Sequence, residues 1–186
     1  MIKRKASEKL NLLAKEYGVV SVTGPRQSGK TTLVKQHFPN HQYFNLEFLS
    51  DLEKISADPV SFINNISGGV IIDEVQKFPD ILSYIQVAID EDFQPAKFVI
   101  TGSQNLLLSD KVNQSLAGRV GILKLMPLSI GELVESNNIP GKYQDLLLKG
   151  FYPSIYDKHQ TAGIYYNNYL NTYVERDVRS IKNIGD

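Results

Sequence analysis

Residues 18–33 read Gly-Val-Val-Ser-Val-Thr-Gly-Pro-Arg-Gln-Ser-Gly-Lys-Thr-Thr-Leu, and this stretch decides the fold. A short β-branched run ends at a glycine, and a helical pattern begins at Lys30. Between them, residues 24–31 match the phosphate-binding pattern G-x-x-x-x-G-K-[ST], which needs a strand before it and a helix after it. Because the context is right, we prefer a phosphate site to the alternative of a chance glycine turn beside a solvated lysine.

The chemistry of this loop, the P-loop, indicates what it binds. Its glycines let backbone N–H groups surround a phosphate at a helix N-terminus, where Lys30 would neutralise the β- and γ-phosphates and the Thr31 hydroxyl would ligate Mg²⁺. We therefore expect a nucleoside triphosphate with Mg²⁺. The expected nucleotide-binding residues are Gly24, Pro25, Arg26, Gln27, Ser28, Gly29, Lys30, Thr31 and Thr32.

A second polar site follows the wholly apolar run at residues 69–72, which is typical of a central strand. If that strand lies parallel to the P-loop strand and next to it, Asp73 lies on the Mg²⁺ side. It would then either bind the metal directly or hydrogen-bond to a direct ligand of the metal. Glu74 is then placed to polarise an attacking water, which favours hydrolysis over nucleotide storage or transfer. The alternative is an ordinary strand that leads into a polar turn.

Two weaker candidates lie further along the chain. Residues 101–104 read Thr-Gly-Ser-Gln after another apolar run, so Ser103 or Gln104 could orient the lytic water or sense the γ-phosphate. Such a composition is also typical of a plain turn. Arg119 could reach the γ-phosphate in a neighbouring subunit of a homo-oligomer and stabilise transition-state charge, or it could form a surface salt bridge.

The order of elements predicts an α/β fold, a three-layer sandwich around a mostly parallel five-stranded sheet. The predicted strands are residues 18–23, 41–46, 69–73, 97–101 and 121–125. The predicted helices between them are residues 5–16, 30–38, 51–66 with a break at Asp58-Pro59, 81–89 and 108–116.

After residue 128 the strand signal fades, and helices are predicted near 129–137, 143–149 and 161–181. We therefore divide the chain into a nucleotide-binding core, residues 1–128, and a helical lid or connector that starts a truncated C-terminal domain, residues 129–186. The last helix carries Tyr166, Leu170, Tyr173 and Val174 at helical spacing with few partners. We expect the chain to be part of a longer protein, and the tyrosines of residues 165–173 to pack against the missing domain rather than stack on bases.

Composition restricts the remaining possibilities. The 186 residues contain 20 basic and 20 acidic side chains and no cysteine, so disulfides and Cys-ligated zinc are excluded and no global field favours nucleic acid. No apolar run reaches the about 20 residues of a membrane-spanning helix. We expect a cytoplasmic protein with no membrane contact. The N-terminal basic residues fit a solvated helix face better than a nucleic-acid contact: Lys3, Arg4, Lys5, Lys9 and Lys15.

Together these segments resemble the AAA+ superfamily of P-loop ATPases. Residues 24–31 correspond to Walker A, 70–74 to Walker B, 101–104 to the sensor-1 region and 118–119 to the arginine-finger box. Segments 24–33, 71–76, 101–104, 116–119 and 127–132 look like one prokaryotic family of predicted AAA-type ATPases, whose core precedes a C-terminal domain of unknown function. Residues 165–178 look like the start of that domain.

The resemblance implies the strand order 5-1-4-3-2 and ATP rather than GTP, and the sequence has no guanine-reading Asn-Lys-x-Asp segment. Arg176 and Arg179 lie on a helix that could serve as a lid, but their spacing identifies no sensor-2 residue. The leading function is slow ATP hydrolysis that switches or moves the C-terminal domain. The alternatives are a nucleotide-gated module that binds protein or DNA through that domain with little turnover, and a small-molecule kinase, which the scarcity of arginines between Arg26 and Arg119 disfavours.

Overall fold

A computed structural model of the chain describes residues 2–102 and 116–174. Within these ranges, five strands form one sheet in the order β2-β3-β4-β1-β5, and each paired strand runs parallel to its neighbour. The strands are β1 (Val19–Thr23), β2 (Gln42–Asn45), β3 (Val70–Asp73), β4 (Phe98–Gly102) and β5 (Val120–Lys124). Read from the other edge, this is the order implied by the resemblance, and the predicted α/β fold class is confirmed.

Helices cover both faces of the sheet. They are α1 (Ala6–Glu16), α2 (Lys30–His37), α3 (Leu49–Ala57), α4 (Pro59–Asn64) and α5 (Ile81–Glu91). Successive strand residues point to opposite faces, so Val20 and Val22 pack with the apolar residues of α1 and α2, whereas Val19 packs with those of α3, α4 and α5. The result is the predicted three-layer sandwich.

The break between α3 and α4 has a local cause. Asp58 caps α4 by accepting a hydrogen bond from the Ser61 backbone N–H, and Pro59 occupies the first helical turn, where a missing N–H costs nothing. The sequence predicted this interruption at Asp58-Pro59, and the structure confirms it.

The chain forms two compact units, one consisting of Arg4–Met126 and the other of Met1–Lys3 with Pro127–Asp186. The described helices of the second unit are α6 (Ile130–Glu135), α7 (Tyr143–Lys149), α8 (Pro153–Asp157) and α9 (Ala162–Tyr169), followed by a π-helical turn at Leu170–Val174. Helix α8 was not predicted, because Pro153 looked like part of a turn, whereas it starts a helix. The region 175–186, with Arg176 and Arg179, lies outside the described residues.

The tyrosines near the end of the described chain pack within their own unit. Tyr165 is buried, and the rings of Tyr165, Tyr166 and Tyr169 lie within 6.1 Å, centroid to centroid, of the Tyr152 ring. The expectation of few partners is therefore wrong for Tyr166, and packing of these tyrosines against a further domain stays a prediction. The turn before α8 brings Tyr152 back onto α9, a contact that helical spacing alone cannot reveal.

Some predictions lie outside the described part of the chain. The helix expected at 108–116 falls almost wholly in residues 103–115, as do Ser103 and Gln104. In the ranges that are described, no helix has the length and apolar character needed to cross a membrane.

Candidate nucleotide-binding site

The P-loop begins in direct backbone contact with the end of β5. Gly24 has a φ of +151°, and a Cβ at this position would lie 2.1 Å from the carbonyl oxygen of Leu125, so no other residue fits. The Leu125 N–H in turn donates to the Thr23 carbonyl at 2.7 Å. Gln27 and Gly29 also have positive φ, +59° and +94°, which turns the loop back toward the start of α2.

Lys30 is the first residue of α2, and its side chain folds back over this loop. Its Nζ donates to the carbonyl oxygens of Gly24 at 3.1 Å and Pro25 at 3.0 Å, and the residue is only 6% exposed. Burial lowers the pKa of Lys30; Glu74 and Asp73 oppose that shift, and Arg26 adds to it. The ammonium group is therefore held where it can exchange loop carbonyls for a phosphate.

Asp73, at the end of β3, accepts hydrogen bonds from three different elements. Its Oδ2 accepts from Thr31 Oγ1 on α2 at 2.7 Å and from the Tyr43 hydroxyl on β2 at 2.8 Å. Its Oδ1 accepts from Thr101 Oγ1 on β4. Asp73 is 2% exposed, so these donors orient a carboxylate that has little contact with water.

The strand that ends at Asp73 does not lie next to the P-loop strand. We expected its strand to lie next to the P-loop strand, but β4 lies between β3 and β1. Asp73 still meets Thr31 because α2 packs across β1, β4 and β3 and carries Thr31 over the intervening strand.

The residues at this edge suit a magnesium-bound nucleotide. A hydroxyl and a carboxylate, from Thr31 and Asp73, are oxygen ligands of the kind that Mg²⁺ uses together with phosphate oxygens. Inside the loop, Ser28 Oγ is buried and has no hydrogen-bond partner among the described residues. Arg26 is half-buried and helps to lower the pKa of Lys30, whereas Thr32 is exposed on the first turn of α2.

Glu74 lies directly after Asp73 in a left-handed conformation, with a φ of +57°. Its backbone N–H donates to Thr101 Oγ1 at 3.4 Å, and its carboxylate accepts a hydrogen bond from the Gln76 side-chain amide. Gln76 Oε1 is buried and has no partner within the described ranges. Thr101 therefore touches both acidic residues, and Gln76 occupies one oxygen of Glu74.

Arg119 lies at the other end of the sheet. Its Nε and Nη2 donate to Asp90 Oδ1 at 2.5 Å and Oδ2 at 2.9 Å, and its carbonyl accepts from Val19 N–H at the start of β1. The P-loop follows the opposite end of β1, about 15 Å away at 3.3 Å per residue. In this chain Arg119 forms the surface salt bridge that was the alternative to the arginine finger, and its action on another copy stays a prediction.

Sequence reasoning missed Tyr43, Thr101 and Gln76 as site residues. Thr101 is the polar residue of β4 and could be identified from the sequence, but the predicted site residues were Ser103 and Gln104, which follow it. Tyr43 packs on the α2 face of the sheet, with Lys35 Nζ 3.3 Å from its ring centroid. Burial, together with the hydrogen bond to Asp73, raises the pKa of Tyr43. A tyrosine on a short strand carries no signal of such a role until the register of β2 and β3 is known.

The chain is similar to proteins from several organisms. Over 184 residues it is 32% identical to an uncharacterized protein of Mycobacterium bovis and to one of Mycobacterium tuberculosis, and the match covers 96% of this chain. This chain spans only 40% of the length of those relatives.

Two solved structures share the fold. A Walker-type ATPase of Pyrococcus abyssi superimposes with a TM-score of 0.62 at 17% identity, over 98% of this chain and 76% of that one. The AMPPCP-bound DnaA of Aquifex aeolicus gives a TM-score of 0.53 at 15% identity, over 92% of this chain and 63% of that one.

The family follows from the sequence match and agrees with the geometry of the loop. A family model described as an AAA domain matches residues 16–134, which contain the P-loop, Asp73 and Glu74. The chain therefore belongs to the AAA domain family, within the AAA+-type P-loop ATPases.

Proposed function

We propose that this chain binds ATP with Mg²⁺ and hydrolyses it slowly, and that the nucleotide state switches or moves an attached C-terminal domain. The observation that supports this best is the hydrogen bond between Thr31 and Asp73 beside the buried ammonium of Lys30. It brings an oxygen pair suited to Mg²⁺ and a cation suited to phosphate to one edge of the sheet.

Each residue has a separate task in this proposal. The backbone N–H groups of the P-loop and Lys30 hold the phosphates, and Thr31 and Asp73 hold Mg²⁺, which when bound neutralises charge on the β- and γ-phosphates. Glu74 accepts the proton of the attacking water, provided that its carboxylate leaves Gln76. Thr101 fixes the side chain of Asp73 and the backbone of Glu74 in one arrangement.

The contact between Gln76 and Glu74 also favours a second candidate, a nucleotide-gated module with little turnover. A carboxylate oxygen that already accepts from an amide is less available to accept from water. In that case ATP would be held for long periods, and the state of the site would gate binding of protein or nucleic acid by the C-terminal domain.

Two variants test the proposal. Lys30→Ala should abolish tight binding of Mg-ATP in calorimetry, while Lys15→Ala, which removes an exposed lysine of α1, should bind as the wild type does. Unchanged affinity in Lys30→Ala would overturn the site assignment.

Glu74→Gln should bind ATP and lose single-turnover hydrolysis; if the wild type is equally inactive, the gated module is the correct function.

We also propose that Arg119 acts between copies of the chain. Because it lies at the sheet end opposite its own P-loop, it can serve only the nucleotide of a neighbour, after leaving Asp90. Arg119→Ala should bind ATP normally but lose turnover that depends on protein concentration. If wild-type turnover per chain is independent of concentration and equals that of the variant, this role is wrong.

A cytoplasmic location, which the absence of cysteine allows, completes the proposal.

A further inference from the structure

Arg4 makes a contact that the proposed chemistry does not use. Its Nη1 donates to the carbonyl oxygen of Ser28 in the P-loop at 2.7 Å, and its Nη2 donates to the carbonyl oxygen of Met126 at 2.5 Å. The sequence assigned Arg4 to a solvated basic face, and for this residue that expectation is wrong. One planar guanidinium instead joins two carbonyls that are 98 residues apart in sequence, from Ser28 to Met126.

The first carbonyl, that of Ser28, belongs to a peptide whose N–H is a hydrogen-bond donor directed at phosphate. In a planar trans peptide the C=O of one residue and the N–H of the next point in opposite directions. When Arg4 holds the Ser28 carbonyl, it also fixes the direction of the Gly29 N–H, the last backbone donor before α2. That N–H is among the groups that a P-loop directs at phosphate.

The second carbonyl belongs to the peptide that joins Met126 to Pro127. The chain passes from one compact unit to the other at this peptide and again between Lys3 and Arg4. The contact of Gly24 with the Leu125 backbone adds a second link between the P-loop and the end of β5. The loop is therefore tied, through the Arg4 side chain and the close backbone approach at Gly24, to both points where the chain leaves the nucleotide-binding unit.

We propose that Arg4 is a positioning residue that couples the P-loop to the two chain crossings at 3/4 and 126/127, so that nucleotide binding is transmitted to both. This inference rests on the proposed nucleotide binding. When phosphate engages the Gly29 N–H, the Ser28 carbonyl and the guanidinium are held in one orientation, and the Met126 carbonyl is held with them. Arg4 acts through the loop and is not a catalytic residue.

Hydrogen exchange of the whole chain, with and without saturating Mg-ADP, tests the coupling. In the wild type, Mg-ADP should slow exchange in peptides covering 24–32, 2–6 and 124–128. In Arg4→Ala, we expect Mg-ADP to bind about tenfold more weakly, since a hydrogen bond to a charged group is lost. At saturation the slowing at 24–32 should remain, and the slowing at 2–6 and 124–128 should disappear.

Two further variants separate coupling from general destabilisation. Lys9→Ala removes an exposed positive charge from α1 and should bind within about twofold of the wild type, with the full exchange pattern. Arg4→Lys keeps the charge but not the two-pronged donor, so it should recover part of the affinity and not the slowing at 124–128.

The outcomes distinguish the two proposals. If wild-type chain binds Mg-ADP but shows no slowing at 124–128, or if Arg4→Ala keeps that slowing, the coupling is refuted and nucleotide binding stands. If Arg4→Ala does not fold, the wild-type pattern and Arg4→Lys still decide. If the wild type binds no nucleotide, the proposed function fails and the coupling fails with it.

Discussion

Replacing Tyr43 with phenylalanine isolates one hydrogen bond to Asp73. The change removes the hydroxyl that donates to Asp73 Oδ2 at 2.8 Å but keeps the ring, which lies 3.3 Å beneath Lys35 Nζ. Packing and the cation–π contact are therefore preserved. Asp73 also keeps its donors Thr31 and Thr101, so its carboxylate is less firmly oriented but is still hydrogen-bonded.

The size of the effect follows from the charge of the acceptor. A hydrogen bond to a charged group contributes about 1.5–3 kcal/mol, and we take the lower end because Tyr43 is only half-buried and other donors remain. A loss of about 1.5 kcal/mol in the free energy of unfolding lowers the melting temperature by about 3–6 °C in a chain of this size. Turnover of Mg-ATP should fall by about threefold to tenfold, because Asp73 is less firmly oriented and a loss of about 1.4 kcal/mol in the transition state lowers the rate about tenfold.

The assay compares melting temperature without nucleotide and turnover across a Mg²⁺ titration. Tyr84→Phe is the matched control, since Tyr84 is 38% exposed on α5 and its hydroxyl forms no hydrogen bond in the described part of the chain. The proposed role of the Tyr43 hydroxyl is refuted if Tyr43→Phe has the same melting temperature and the same turnover as Tyr84→Phe. A drop in melting temperature with unchanged turnover at every Mg²⁺ concentration would limit Tyr43 to a structural role.

Three other predictions use the same site. Because burial lowers the pKa of Lys30, its charge is lost at a lower pH than that of an exposed lysine; Mg-ATP affinity in calorimetry should therefore fall as the pH rises through that lowered value, with proton uptake on binding, and Lys30→Arg should remove this dependence. Gln76→Leu should raise single-turnover hydrolysis by about threefold to tenfold by releasing a Glu74 oxygen, whereas a loss like that of Glu74→Gln would mean that Gln76 orients the base. Thr101→Val should lower turnover more than Tyr43→Phe in a steady-state assay, because Thr101 contacts both acidic residues; equal losses would contradict its double role.

The sequence predicted the parts of this site that lie within single local patterns. The P-loop, Asp73 and Glu74 each follow an apolar run, and parallel strands bring such ends to one edge of a sheet. The end of β3 at Asp73 was predicted from the end of its apolar run, whereas β4 ends at Gly102, one residue after its predicted end. Local patterns could also place the α3 and α4 boundary, since a capping aspartate and a proline act within a few residues.

What escaped prediction depends on register and on long-range contacts. Tyr43 reaches Asp73 because Asn45 pairs with Asp73 and Tyr43 pairs with Ile71, a register set by strand pairing that no single segment contains. Arg4 looked like one of several basic residues of a helix face until its two carbonyl acceptors were known. Each case is a polar side chain whose partner lies 24 or more residues away.

Arg119 illustrates why position in the sheet carries more information than the residue type. The sequence pattern of an arginine that follows a glycine just before a strand is equally compatible with a catalytic finger and with a surface ion pair. In the structure, Arg119 forms the ion pair with Asp90. Yet the same geometry restricts the finger hypothesis to one form. Since Arg119 directly precedes β5 and the P-loop follows β1 at the other end of two parallel, paired strands, no rotamer returns it to its own nucleotide. Arg119 can therefore act in a single arrangement, on the nucleotide of a neighbouring copy. The dependence of turnover on protein concentration tests whether it does so.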